Sequence, residues 1–359
     1  MSGEAPGPPA ARAHDGAFAG SSDALHLARR ARERRPLLVL AASALDAERL
    51  RAEVEWFDPH LRVHRLPDWE ILPYDQFSPH PDLVSERLAT LWQFASGAFD
   101  VGIVPVTTAL QRLAPKSYLA GRTFDLKQKE RLDLAKLRDQ LVTAGYAHVQ
   151  QVMSPGEFCV RGGLIDLFPT GSAVPYRIDL LGDEIETLRT FDVDTQRSIY
   201  PVPSIRMLPA REFPLDETGR AKFRDAFRER FERDPTRSRI YKDVSNGIAP
   251  AGVEAYLPLF FEATETIFDY LPRETTAVLH GDVPDAAEGF WRDLKSRHDL
   301  LRGDRDRPLL DPRQLYLPAE DLFIALKGFP RLAVEAPLAA QPLPSIEGSG
   351  CSSASSTVS

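Results

Sequence analysis

With 359 residues, 43% hydrophobic and 27% charged, the chain has the composition of a soluble globular protein and the length for two or three domains. A formal net charge of −8 argues against a dedicated nucleic-acid binder, which carries a basic excess. No run of about eighteen apolar residues occurs and the opening MSGEAPGPPAARAHDG has no apolar core, so neither a membrane span nor a secretory signal is expected and the chain reads as cytoplasmic.

Residues 1–15 are Pro-rich and small, and are expected to be disordered. Ser21 to Arg35 is predicted as a helix with Ser21 or Ser22 as its cap. Leu37–Ala42 is a continuous apolar run, the pattern of a parallel strand buried on both faces. Ala44–Phe57 returns to helical spacing, Arg62–Leu66 is a second strand, and Asp82–Ser96 is a helix with Val84, Leu88, Leu91 and Trp92 on its buried stripe. Val101–Val106 is a third strand, after which Thr107 or Thr108 caps a short helix. Strand and helix in alternation is the signature of an α/β domain with a parallel sheet.

The pattern changes after Pro115. Leu132–Ala144 is a helix that Gly145 stops. From Gly156 to Asp194 the chain reads as a small antiparallel β-unit, with Gly182-Asp183 closing a tight hairpin. In the strand before that turn, Tyr176, Ile178 and Leu180 point to one face and Arg177, Asp179 and Leu181 to the other. An outer face holding an arginine and a leucine either docks a partner or is an ordinary half-solvated surface. Beyond Pro209 the mixed pattern resumes, with a charged helix over Asp216–Arg233 whose Phe223, Phe227 and Phe231 read as core packing. Ser245–Glu262 is punctuated by Pro and Gly and is expected to be more loop than element. Thr275–His280 is a strand, Asp285–Leu301 and Ala319–Lys327 are helices, and Arg331–Val334 is a last strand. The expected organisation is a disordered start (1–15), an α/β segment (16–117), an inserted α+β domain (118–210), a second α/β segment (211–335) and a disordered tail (336–359).

A phosphate-binding loop would sit at the first strand–loop–helix, which here is GAFAGSSDALHLA. Gly16, Gly20, Ser21 and Ser22 occupy that region, but no Gly-Lys-Ser/Thr is present, so the lysine for the phosphates is missing. The pairs Asp183-Glu184 and Asp216-Glu217 fall in a hairpin turn and at a helix start, where carboxylates are favoured for local reasons. Nucleotide hydrolysis is therefore not expected, and the eight scattered histidines offer no metal-binding spacing. Cys159 reads as a small strand residue, and with Cys351 far away no disulfide framework follows, which suits a reducing compartment. Two features remain. The stretch Leu66–His80, LPDWEILPYDQFSPH, is a proline-locked loop over the sheet edge or a surface that once met nucleic acid. The arginines Arg161, Arg177, Arg189 and Arg197 of the β-unit are solvated strand residues or the charged part of an interface.

Several of these stretches are recognisable together. LPDWEILPYDQFSPHPDLVSERLATL (66–91), VPVTTALQRLAP (104–115), GYAHVQQVMSPGEFCVRGGLIDLFP (145–169), PYRIDLLGDEIETLRTFDVDTQRS (175–198), LPAREFP (208–214) and IAPAGVEAYLPLFF (248–261) resemble the N-terminal part of the bacterial transcription-repair coupling factors (Mfd). The resemblance covers roughly residues 15–335 and implies a similarity to UvrB: a helicase-like, P-loop NTPase-type α/β domain in two segments, catalytically dead, with a small inserted α+β domain that docks UvrA. The family's R-G-(A/G)-L-(L/I)-D-L-F-P arginine corresponds to Arg161 and that of P-Y-R-(L/I)-D to Arg177. Four residues on, the family position of an interface aromatic holds Leu181, which keeps an apolar contact but buries less area, worth ~1 kcal/mol.

Full-length members continue into an RNA-polymerase-binding domain and an ATP- and Mg-dependent double-stranded DNA translocase, and this chain stops before either. It is expected to be a fragment, a truncated product or a frameshifted end, needing no cofactor, with RNA polymerase and DNA as partners only through missing domains. The resemblance implies a non-catalytic module that recruits UvrA in transcription-coupled nucleotide excision repair. The alternatives are a module that retains nucleotide or DNA binding and one that masks the translocase.

Overall fold

Short apolar strands separated by amphipathic helices build the first of two six-stranded sheets. The structure, a computed structural model, describes residues 13–15, 20–34, 36–231, 234–304 and 306–334. The first sheet contains β1 (Ala13–Asp15), β2 (Leu37–Ala41), β3 (Val63–Arg65), β4 (Val101–Pro105), β13 (Thr276–His280) and β14 (Arg331–Val334). Its order is β1-β14-β13-β2-β4-β3, with every pair parallel. All five residues of β2 and of β4 are buried, because helices cover both faces. Helices α1 (Ser22–Glu33) and α2 (Ala44–Phe57) close one face over Val39, Ile103 and Val278. On the other face α3 (Pro81–Ala95), α4 (Val106–Ala109) and α10 (Val283–Leu301) pack against Leu40 and Val104. Local chemistry sets the helix starts: Ser43 accepts the Asp46 N–H before α2, and His80 accepts that of Asp82 before α3, with Pro81 at the first helical position.

The second sheet forms between α5 (Lys116–Gly121) and α7 (Glu217–Arg230). The chain enters through β5 (Phe124–Lys127) and leaves through β12 (Ser204–Met207), which pair antiparallel with each other as a two-stranded stem. Between them lie α6 (Leu134–Thr143), β6 (Ala147–His148), β7 (Glu157–Arg161), β8 (Leu164–Phe168), β9 (Tyr176–Leu181), β10 (Glu184–Phe191) and β11 (Ser198–Pro201). The order is β11-β10-β9-β8-β7-β6. All neighbours are antiparallel except β6 and β7. Asp133 caps α6 by accepting the N–H groups of Ala135 and Lys136, and Gly145 stops it at φ 92°, where a side chain would be strained. Gly182 takes φ 67° in the two-residue hairpin between β9 and β10, the turn its sequence predicts.

The rest of the chain completes the first core through α8 (Arg239–Ser245), α9 (Ile267–Tyr270), α11 (Pro312–Leu315) and α12 (Ala319–Leu326). The phenylalanine stripe is core packing: the Phe223 and Phe260 rings lie 4.9 Å apart, and Phe231, the residue that caps the end of α7, meets Phe227 edge-on at 4.7 Å from the rim of the core.

Three expectations need correction. Within the start expected to be disordered, Ala13–Asp15 pairs in parallel with β14 as an edge strand. Three small or polar residues carry no periodicity, and the pairing that orders them comes from the far end of the chain. The stretch 245–262 is not mainly loop. Val253–Phe260 is a 3-10 helix that buries Val253, Tyr256, Leu257, Leu259 and Phe260. Its Pro258 and the left-handed Gly252 at its entry forbid a regular α-helix but not a short, tight, apolar turn. Finally, Thr107 and Thr108 lie inside α4, whose cap position is Pro105 and Val106 its first residue. Residues 1–12, 16–19 and the tail expected over 336–359 lie outside the described residues.

Candidate docking face

Strand alternation sorts the second sheet into two faces. Phe158, Ile165, Leu167, Ile178, Ile185 and Leu188 face α6 and form a buried cluster with Leu137 and Leu141. The opposite face carries Arg161, Asp166, Arg177, Asp179 and Leu181. At one end this outer face is closed by a small cluster of Val152, Cys159, Phe168 and Phe191. Cys159 is buried there with Sγ 3.2 Å from the Gln150 carbonyl oxygen. At the other end the face is open.

The centre of the face is Asp166, which is 1% exposed and lies on β8 between the two arginine-bearing strands. Arg177 meets it with a fork, Nε donating to Oδ1 at 2.6 Å and Nη2 to Oδ2 at 3.0 Å. The remaining Nη1 donates to the Gln196 carbonyl oxygen at 2.9 Å, and the guanidinium lies 4.9 Å from the Phe191 ring centroid. Each of its three nitrogens therefore bonds inside the domain, and its side chain is only 15% exposed. Arg161 also bonds to Asp166 through Nη2, but from the open side, with a side chain 49% exposed. Leu181, at the end of β9, is 70% exposed. Asp179 is held by the Thr187 hydroxyl, which donates to it at 2.6 Å.

The structure thus brings Arg161, Arg177 and Leu181 to one face but in different states. Arg161 and Leu181 project, while Arg177 ties β9 to β8. Arg189 and Arg197 are exposed and have no side-chain partner among the described residues. Sequence reasoning missed Asp166, whose signal was an acid in the middle of an apolar strand, LIDLF, with arginines on both flanking strands. A buried carboxylate requires such partners.

The stretch Leu66–His80 is irregular and packs onto the first core. Trp69 and Tyr74 are buried, with the Tyr74 hydroxyl donating to the Leu310 carbonyl at 2.9 Å. Trp69 Nε1 donates to Glu212 at 3.1 Å, beside a fully buried Arg87 whose Nε reaches the same carboxylate oxygen at 2.6 Å. This charge pair fastens α3 to the segment that follows the second sheet. In the expected phosphate-loop region, Gly20 is left-handed at φ 60°, Ser21 is at the cap position of α1 without a side-chain capping bond, and Ser22 is the first helical residue. Gly16 lies outside the described residues. Among the described residues no group of three His, Cys, Asp or Glu side chains could hold a metal ion, and no helix is long and apolar enough to cross a membrane.

The fold defines an α/β protein with a parallel sheet that carries a second, mainly antiparallel domain. Residues 124–213, which contain this whole second sheet, match the UvrB interaction domain family. Over 84% of the chain there is 45% identity to the transcription-repair-coupling factor of Escherichia coli, of which 26% is covered. The Haemophilus influenzae counterpart is 43% identical over 82% of the chain, covering 25% of that relative. That of Myxococcus xanthus is 32% identical over 82%, covering 26%. These matches place the chain in the transcription-repair-coupling factor family, as an N-terminal module. The chain spans about a quarter of the length of the curated relatives it matches.

Proposed function

We propose that this chain is the recruiting module of a transcription-repair coupling factor, docking UvrA through the open end of the outer face in transcription-coupled nucleotide excision repair. The observation that carries the reading is Leu181. A large apolar side chain 70% exposed, at the same end of the sheet as a half-exposed arginine, is the composition of an interface core with a charged neighbour. Arg161 and Leu181 make the direct contacts, and Arg177 positions the strands from beneath while presenting only its edge.

The first sheet serves as a platform in this reading: a degenerate helicase-like, P-loop-type body, without catalysis of its own and without a cofactor. ATP-driven translocation on DNA and displacement of RNA polymerase belong to other parts of a full-length protein. Size-exclusion chromatography of the chain mixed with UvrA tests the reading. The parent elutes as a complex and Leu181→Asp, which alters an exposed position only, elutes apart from UvrA. Co-elution of the Leu181→Asp chain would remove this face from the interface.

A further inference from the structure

In α/β folds small ligands sit at the carboxyl ends of the parallel strands. The opposite edge of the first sheet has a chemistry of its own in this chain. The register aligns the strand starts there: Thr276 of β13 pairs with Leu37 of β2, Leu37 with Val101 of β4, Val101 with Val63 of β3, and Ala277 with Arg331 of β14. Arg331 opens β14, Arg62 directly precedes β3, and Arg34 and Arg273 lie shortly before β2 and β13. β4 is preceded by an acid, Asp100, but that carboxylate is buried and Arg62 covers it, with Nε at 3.2 Å and Nη2 at 2.9 Å. The end of α1 reaches the same edge, because the Leu37 N–H donates to the Asp100 carbonyl at 2.9 Å.

Two of the arginines are held from beneath by buried carboxylates and stay largely in solvent. Arg32, 61% exposed, is anchored by Nε to Asp58 at 2.6 Å, and its other nitrogens have no partner among the described residues. Arg62, 54% exposed, likewise keeps Nη1 unbonded. Arg34, Arg273 and Arg331 form no side-chain hydrogen bond or ion pair among the described residues. The nearby exposed carboxylates are Glu33, which accepts from Arg30 at 3.3 Å, and Glu274. Trp56, two residues before Asp58 at the end of α2, is 76% exposed. A helix dipole favours Arg32 at the end of α1, but Arg62, Arg273 and Arg331 belong to strand starts, which have no such dipole. From β14 to β3 the row spans about 19 Å at ~4.8 Å per strand step. That is the rise of about five or six base pairs of duplex DNA.

We propose that this arginine-lined edge binds the phosphodiester backbone of nucleic acid, without reading bases. Anchored arginines lose little freedom on binding, and their free nitrogens match phosphate oxygens. The chain as a whole carries a net charge of −8, so its remaining surface repels a polyanion and confines the contact to this edge. The site is on the first sheet and is independent of the docking face.

The test is fluorescence anisotropy of a short labelled DNA duplex, and of its single strand, titrated with the 359-residue chain from about 50 to 200 mM salt. The variants are Arg34→Gln/Arg273→Gln, at exposed positions of the edge, and Arg292→Gln/Arg313→Gln, an equal charge change at exposed positions elsewhere. The parent binds with a slope of log K against log salt of about −3 to −4, the value for some four duplex phosphates. The edge variant binds at least about tenfold more weakly with a shallower slope, and the control variant binds like the parent. Tighter binding of the duplex assigns the backbone to double-stranded DNA. Tighter binding of the single strand, lost in Trp56→Ala, assigns it to an unpaired strand stacked on that ring. The proposal is overturned by a parent that binds neither DNA at about 50 mM salt, by equal losses in the two double variants, or by labelled polyglutamate binding as tightly as DNA.

Discussion

Replacing Arg177 and replacing Arg161 should separate the stability of the docking face from its binding, although both arginines bond to the same carboxylate. Arg177→Ala removes a two-pronged bond to Asp166 at 2.6 and 3.0 Å, a bond to the Gln196 carbonyl and the cover over Phe191. Breaking one side of a buried ion pair costs about 3–5 kcal/mol, because the remaining charge stays buried. Arg161 still reaches Asp166 and offsets part of that loss, so the expected destabilisation is about 2–4 kcal/mol. Arg161→Ala removes one prong from a side chain 49% exposed, and with solvent screening the cost should be at most about 1 kcal/mol. Hydrogen exchange resolved to the peptides of β8 and β9 measures this locally. Tryptophan fluorescence serves as a control for the rest of the protein, since Trp56, Trp69, Trp92 and Trp291 all lie outside residues 124–213. Arg177→Ala should lose protection in β8 and β9 while Arg161→Ala keeps it. Equal loss in the two variants would refute the division of labour drawn from the geometry.

The joint between the two sheets should be sensitive at Arg87, which is fully buried and bonds to Glu212 at 2.6 Å and to the Pro67 carbonyl at 2.7 Å. Arg87→Ala strands the carboxylate and should lower stability to urea by about 3–5 kcal/mol. Gly171 sits at φ 81° where an added Cβ would be 2.9 Å from that of Ala89 on α3, so Gly171→Ala should cost about 1–3 kcal/mol in the same measurement. Burial pushes the Glu254 carboxyl up to about 7, against the opposing bond from the Ser78 hydroxyl. The folded state then holds this proton more tightly than the unfolded state, whose carboxyl titrates near 4.5. Stability from this group is complete below pH 4.5 and falls as pH rises to about 7, by up to about 3 kcal/mol. Melting curves across that range should show the decline in the parent and a flatter profile in Glu254→Gln, and parallel profiles would contradict it.

The parts of the fold that announce themselves in one dimension were legible before any coordinates. LLVLA and VGIVP are buried through every residue because parallel strands under two helical layers need no polar side, and their composition says so directly. The Gly182 turn and the alternation of β9 placed Arg177 and Leu181 on one face correctly. What alternation could not reveal is how far each side chain reaches solvent on that face. That depends on Asp166 across the ladder and on the Gln196 carbonyl, nineteen residues along and brought back by a left-handed turn at φ 59°. The same limit hid β1, whose partner β14 is over three hundred residues away, and the Asp23–His280 pair, whose members are 257 residues apart. Local chemistry is written locally, whereas the partners of buried charges are chosen by topology.

The central claim, that the open end of the second sheet docks UvrA through Arg161 and Leu181, is most directly tested by the affinity of UvrA for Arg161→Ala. That variant leaves the Arg177–Asp166 fork in place, so matched hydrogen-exchange protection in β8 and β9 separates lost binding from lost structure. With protection unchanged, isothermal titration should show binding weakened by at least about tenfold, close to 1.4 kcal/mol. An unchanged Kd in a chain with an intact sheet would contradict the claim.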